Sequence, residues 1–423
     1  MNHYTKLAGL LKREILKFSE KICKGIGRPE EKLVSNLFYG ISVSGSCHLS
    51  KISRALKEPI SLKKTIERLS RGLQAFSPQE QQQMQENYNE IVTGYVDERT
   101  VFIGDGSDVA KPHSEKLEGL AQVRDGSTGK IEKGYWTFEI AALTSATRSP
   151  LPVYDKLYSC TQEDFISEDD EVLQGLRYVS KTFGGKGIRA LDRGYDALVY
   201  YEYFLKSREK FIIRATKNRN VQHKGKTVNI LTLAKRYKGK YVIDFKDKKG
   251  QKVSCKTTII PVSLPKHPKI PLNLVVVYGF GKEPMLLLTN LKSDDPRLAN
   301  TVTKVYLMRW RIEEYFRFKK QQYNFEDFRV RSLNAIRTLH RILTLLTGLI
   351  GILSEKKDES VFVLELVDAS RRIYQPKPKK AKRKFWYYAI ADGMRDVLQK
   401  TSVGITALLS PPKKNPQFLL PCF

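Results

Sequence analysis

The chain has 423 residues, with 74 Lys+Arg against 45 Asp+Glu and a formal net charge of +29. With 41% hydrophobic and 10% aromatic residues it is too apolar for an intrinsically disordered protein. So large a positive excess excludes an ordinary metabolic enzyme and points to a polyanionic partner, either nucleic acid or an anionic membrane surface.

The first 95 residues are expected to be helical. Leu7, Leu10, Leu11, Ile15 and Phe18 fit one face of an amphipathic helix rather than the uninterrupted apolar core of a signal peptide. Between Leu49 and Leu73, two short amphipathic segments flank Glu58-Pro59. They carry Lys51, Arg54, Lys57, Lys63, Lys64, Arg68 and Arg71 against Glu58 and Glu67. A helix–turn–helix that binds DNA is one reading, and a helical bundle with a solvated basic face is the other.

From about residue 96 the pattern changes to strands. Arg99–Asp105, Gly134–Leu143 and Pro150–Ser159 are expected strands, with a turn-rich loop at Arg124–Gly129. A helix over Glu168–Phe183, a short buried strand at Gly187–Asp192, a helix at Ala197–Lys206 and a strand at Lys210–Thr216 follow. Three strands and then alternating helix and strand imply a mixed sheet with helices packed on it. Residues 217–273 interrupt the alternation and read as a β-rich insertion. NLVVVYG and MLLLTNL then return to buried strands. A long helix is expected from near Pro296 to about Tyr323, and a second over Ser332–Lys356. The basic run Lys377–Lys384 lies in a tail suited to DNA binding or dimerisation. The expected parts are therefore 1–95, 96–216, 217–273, 274–355 and 356–423.

The longest strongly apolar run, Ile342–Leu353, is shorter than the roughly 20 residues a bilayer requires. The five cysteines are scattered, with no CxxC pair, which suggests neither a disulfide framework nor a zinc site and fits a reduced, cytoplasmic protein. GGKG at 184–187 lacks the spacing of a P-loop, so no nucleotide cofactor is expected. The histidines have no metal-ligand spacing.

Asp105 and Asp192 each fall where an expected strand ends, and carboxylates at strand ends can converge on one crevice. Each also has a plainer reading: Asp105-Gly106 as a turn, Asp192 or Asp196 as a helix cap. The helix VYLMRWRIEEYFRFKKQ adds a third element. Tyr306, Arg309, Glu313 and Lys320 lie at offsets 0, 3, 7 and 14, within a stripe about 60° wide on one continuous helix. Trp310 and Arg317 border that stripe. A carboxylate, several cations, a phenol and an indole on one face suit a phosphate better than a core.

The pattern Y-x2-R-x3-E-x6-K, with GDGSDVAKP, VRDGSTGKIEKGYW and ALDRGYDA upstream in that order, resembles the DDE transposases of bacterial insertion-sequence family four. The resemblance extends over roughly residues 35–350. It implies an RNase H-like core, interrupted by the β-rich insertion, with Asp105, Asp192 and Glu313 as the acidic triad. Glu313 follows Asp192 by 121 positions, a gap longer than in DDE enzymes that lack an insertion, and the 217–273 segment accounts for the excess. It further implies cut-and-paste transposition: water attacks first, a DNA 3′-hydroxyl attacks later, and two Mg²⁺ ions, replaceable by Mn²⁺, are held by the triad. Tyr306, Arg309 and Lys320 would then hold the DNA backbone. Trp310 would support a distorted end, with a hairpin intermediate and an aromatic partner drawn from the insertion. A dimer on double-stranded DNA is expected, because two ends must be synapsed. A structure-specific nuclease on the same core and a non-catalytic DNA-binding descendant are the alternatives.

Overall fold

The protein is described by a computed structural model covering residues 3–126, 128–246, 251–292, 297–356, 360–373 and 385–409. The basic run 377–384 and Cys422 lie outside the described residues.

In chain order, the N-terminal helices are α1 (His3–Ile22), α2 (Arg28–Ser44), α3 (Leu49–Leu56), α4 (Leu62–Ala75) and α5 (Pro78–Thr93). Next come β1 (Val101–Ala110), β2 (Ala121–Arg124), β3 (Ile131–Leu143), β4 (Pro150–Tyr158), α6 (Glu168–Phe183), β5 (Ile188–Leu191), α7 (Leu198–Ser207) and β6 (Lys210–Arg214). The stretch after β6 contains β7 (Asn220–His223), β8 (Lys226–Asn229), α8 (Ile230–Lys235), β9 (Tyr241–Lys246), β10 (Lys252–Leu264) and β11 (His267–Tyr278). β12 (Met285–Thr289), α9 (Leu298–Met308) and α10 (Arg311–Arg317) follow, then a π-helical turn at Phe318–Gln322. The chain continues through α11 (Leu333–Glu355), α12 (Val361–Ile373), α13 (Tyr387–Gln399) and α14 (Thr406–Leu409).

The described residues divide into two compact units. The first comprises residues 1–88, 116–118 and 318–423, and is helical. Leu7, Leu11, Ile15 and Phe18 of α1 are buried, as the amphipathic spacing requires. α11 joins these helices. It is the one described helix long and apolar enough to cross a membrane, yet 89% of its most apolar stretch is buried within the protein. It forms core here because Leu339, Ile342, Leu343, Leu346 and Ile350 meet other helices instead of lipid.

The second unit comprises residues 89–115 and 119–317 and holds one twelve-stranded sheet. Antiparallel β4-β3-β1 leads into parallel β1-β5-β6. Antiparallel β12, β11 and β10 then continue the sheet from β6. β11 pairs with β10 and β12, and β12 is the strand that pairs with β6. The buried Val275 and Val277 of β11 pack under α9 together with Val302 and Tyr306. α10 covers the neighbouring stretch, where Val101, Ile103, Ala141, Leu143 and Ala190 meet Ile312 and Tyr315.

Local chemistry explains the boundaries. Ser167 caps α6 by accepting from the Asp170 amide at 3.1 Å, four acids fill its first turn, and Gly184 ends it at φ +60°. At Gly187 (φ +78°) a Cβ would stand 2.6 Å from the Thr100 carbonyl oxygen, so only glycine allows β5 to start beside β1.

Two expectations change. β1 does not end at Asp105-Gly106; it runs to Ala110, paired throughout with β3, so the Asp-Gly dipeptide is strand rather than turn. The expected helix from 296 to 323 is broken at Arg309-Trp310, and its last residues form the π-helical turn. The stripe drawn on one continuous helix therefore does not exist as such.

Candidate active site

Strand register brings Asp105 and Asp192 of the second unit near each other. The last paired residues of β1 and β5 are Ile103 and Ala190, and Asp105 and Asp192 each follow by two positions. Parallel pairing thus lays both carboxylates beside each other where the two strands part. Asp192 is the cap of a short 3-10 turn and accepts from the Gly194 amide at 2.6 Å, which makes the cap reading true as well. Asp196 is different: its carboxylate is closed in by Thr216, Arg219 and Tyr201, and its side chain is 1% exposed. It is a structural acid.

Glu313 sits in the first turn of α10. The helix break sets its direction. The Arg309 amide bonds the Tyr306 carbonyl at 2.9 Å, and the Ile312 amide bonds the Arg309 carbonyl at 2.9 Å, so the chain turns tightly before α10 resumes. Ile312 and Tyr315 then anchor α10 on β1 and β3. The Tyr315 hydroxyl donates to Glu139 at 2.6 Å. Glu139 is buried and stands opposite Asp105 on β3, so the sheet carries a carboxylate row that also includes Asp155 of β4.

Arg309 lies between the acids. Its Nη1 donates to Asp105 Oδ2 at 2.7 Å and its Nη2 to Glu313 Oε1 at 3.4 Å, with its side chain 7% exposed. Burial pushes the Asp105 carboxyl up to about 6; Arg309 opposes that rise and the Asp192 charge adds to it. Burial also works against the Arg309 charge, but Asp105, Tyr306, Asp192 and Glu313 outweigh it and hold the guanidinium charged. Tyr306 is buried beneath Arg309, 6.0 Å from ring centre to guanidinium carbon, and burial raises its phenol. It is thus largely a core residue.

The other nominated residues separate. Trp310 stacks on Phe280 of the β11–β12 turn, with centroids 5.6 Å apart and planes at 28°, and Phe245 of β9 adjoins Phe280 at 5.4 Å. Arg317 bonds Glu314 at 2.5 Å on the surface. Lys320 belongs to the first unit and pairs with Glu326 at 3.0 Å. In the same unit α3 and α4 are joined through Lys57 at φ +50° and capped by Ser61, giving two short helices around a turn. Lys51, Arg54, Lys63 and Lys64 are exposed there. Arg68 is tied to Glu58 at 2.7 Å through both carboxylate oxygens and helps to hold the turn.

Sequence reasoning missed Phe280 and Arg214. Phe280 lies in a turn beyond the expected insertion, and no periodicity marks a single loop aromatic. Arg214 ends β6 beside Asp192, since Leu191 pairs with Ile213, and its charge acts on Tyr306. Only strand order reveals that adjacency.

Asp105, Asp192 and Glu313 offer hard oxygen donors, the type that Mg²⁺ and Mn²⁺ accept. The donor set therefore fits such ions. Among the described residues, no group of three or more His, Cys, Asp or Glu gathers closely enough to hold a metal ion. Arg309 stands between two of the acids instead.

Residues 175–348 match the family model described as the transposase DDE domain. The match takes in Asp192, Arg309 and Glu313 and leaves Asp105 outside. No curated protein matches the chain. Among solved structures, the chain is similar to a piggyBac transposase synaptic complex with hairpin DNA, at 11% identity, with 98% of this chain and 83% of that one covered and a TM-score of 0.49. Residues 175–348, less than half of the chain, are therefore similar to a transposase DDE domain.

Proposed function

We propose that this enzyme moves an insertion sequence by cut-and-paste transposition, with Asp105, Asp192 and Glu313 as its catalytic carboxylates on an RNase H-like core. The observation that carries the reading is the single guanidinium of Arg309, which bonds Asp105 of β1 and Glu313 of α10, with Asp192 at the end of the adjacent β5. Three acids far apart in sequence thus serve one cleft, although the chain between the last two includes the whole insertion. The order β4-β3-β1-β5-β6, with β3 antiparallel to its neighbours and β5 and β6 parallel to β1, supports the RNase H-like reading.

In this reading Asp105, Asp192 and Glu313 hold Mg²⁺, which activates the attacking oxygen and stabilises the leaving one. Arg309, bonded to two of the carboxylates, and Arg214, at the end of the strand beside β5, orient the scissile phosphate. Trp310 and Phe280 present stacked rings on which an unpaired base can rest, as a hairpin intermediate requires; such stacking is worth roughly 1–3 kcal/mol per base. The exposed cations of α3 and α4 bind duplex DNA, and two copies act together on paired ends.

The test uses DNA that flanks the coding sequence. The purified chain with Mg²⁺ should cut the inverted repeats at the element's ends and then join the freed 3′-hydroxyls to a second duplex. Cutting without joining would replace this reading with the nuclease. DNA binding with no cutting would replace it with a non-catalytic binder.

A further inference from the structure

The acidic cleft contains its own cation. Asp105, Asp192 and Glu313 bring three formal negative charges, and Arg309 returns one positive charge, bonded to Asp105 and Glu313. Its position is built in. The helix break fixes its backbone, and the Tyr306 ring packs close to its guanidinium. Asp105 Oδ2, the oxygen that Arg309 holds, faces toward Glu313 through that guanidinium. A divalent cation and a guanidinium both seek that oxygen, and like charges at contact repel strongly where water is excluded.

We propose that Arg309 is the resident counter-ion of the acidic cleft and exchanges with the divalent cation at Asp105, so that metal and DNA phosphate bind cooperatively. This rests on the assignment of Asp105 and Glu313 as metal ligands. A phosphate at the cleft draws Arg309 off Asp105 and bares a ligand oxygen; a cation at Asp105 frees Arg309 for phosphate. By linkage each ligand strengthens the other by the same factor. The bidentate fork of arginine suits both partners in turn, because carboxylate and phosphate present similar oxygen pairs. The device offsets part of the carboxylates' charge until DNA is present.

The experiment measures Mn²⁺ affinity by electron paramagnetic resonance of the free ion, with and without a 5′-phosphorylated duplex of arbitrary sequence. In the native protein the duplex should tighten Mn²⁺ binding several-fold. Arg309→Gln should bind Mn²⁺ about tenfold more tightly than the native protein without DNA, a change inside the usual range of coupling between sites. The duplex should then add little. Unchanged or weaker Mn²⁺ binding by folded Arg309→Gln would overturn the proposal and leave Arg309 a plain structural ion pair. If that variant does not fold, the native protein decides: no effect of the duplex on Mn²⁺ affinity overturns it. Asp105→Asn, Asp192→Asn and Glu313→Gln test the underlying assignment separately. Their full Mn²⁺ affinity would remove the ligands, whatever Arg309 does.

Discussion

Asp105→Asn should make the free protein more stable at neutral pH while removing its activity. The Asp105 carboxyl rises from 3.8 to about 6 in the folded chain, chiefly because burial penalises its charge. A raised carboxyl binds more protons in the native state than in the unfolded one between those two values, so folding stability falls as pH climbs through that window. The shift of about two units corresponds to about 3 kcal/mol at pH 7.5, at 1.36 kcal/mol per unit. Arg309 already opposes the rise, so this is what remains after that attraction. Asparagine keeps the shape and removes the charge. Calorimetric or urea unfolding without divalent ions should find Asp105→Asn stabilised by up to about 3 kcal/mol at pH 7.5, with the gap closing toward pH 4. Added Mn²⁺ should raise the melting temperature of the native protein and leave the variant unmoved. If Asp105→Asn melted at or below the native temperature at pH 7.5, or if the gap were the same at pH 4, the picture of a charge buried at an energetic penalty would be wrong.

Other outcomes follow from the same geometry. Asp192→Ala should abolish DNA cleavage with little change in unfolding. Asp196→Ala should instead leave the half-buried Arg219 without its carboxylate partner and destabilise the fold by up to about 3 kcal/mol in urea titration. Trp310→Ala and Phe280→Ala should each slow end processing by roughly 10- to 100-fold, equivalent to losing one stacked base. They should also weaken quenching of a 2-aminopurine placed near the cleavage site; equal rates in both variants would exclude the stack from the reaction. Lys63→Ala and Lys64→Ala should each lower the slope of log affinity against log salt by about 1, read by fluorescence anisotropy.

Elements whose signal is local could be read from the chain. Glu168–Phe183 was legible to the residue, because a serine cap, an acidic first turn and a terminal glycine all agree. Asp105 and Asp192 were nominated because each stands beside an apolar strand-like run, and Glu313 because of its helical spacing from Tyr306 and Arg309. Non-local pairing decided the rest. Asp105-Gly106 carries the chemistry of a turn, yet ten consecutive partners on β3 hold it extended. The break at Arg309-Trp310 has no proline or glycine to announce it; it follows from α9 and α10 packing on different stretches of the sheet. The tryptophan was visible in the sequence, but its partner at Phe280 was not, since the two meet only once β12 has returned to β6.

That return strand has a mechanical consequence. Hydrogen bonds run without interruption from β5, through β6 and β12, to β11, so the turn that bears Phe280 and the strand that ends at Asp192 are parts of one stiff lattice. The sheet acts as a ruler between the aromatic ring and the acid. Residues added at the outer strands β7, β8 or β9 leave that ruler untouched. Sliding β12 against β6 by one residue would turn its inward side chains outward and carry Phe280 along the strand axis by about 3.3 Å, a full strand step. Variation in length is therefore tolerable at the outer strands of the sheet and closed off where β12 joins β6.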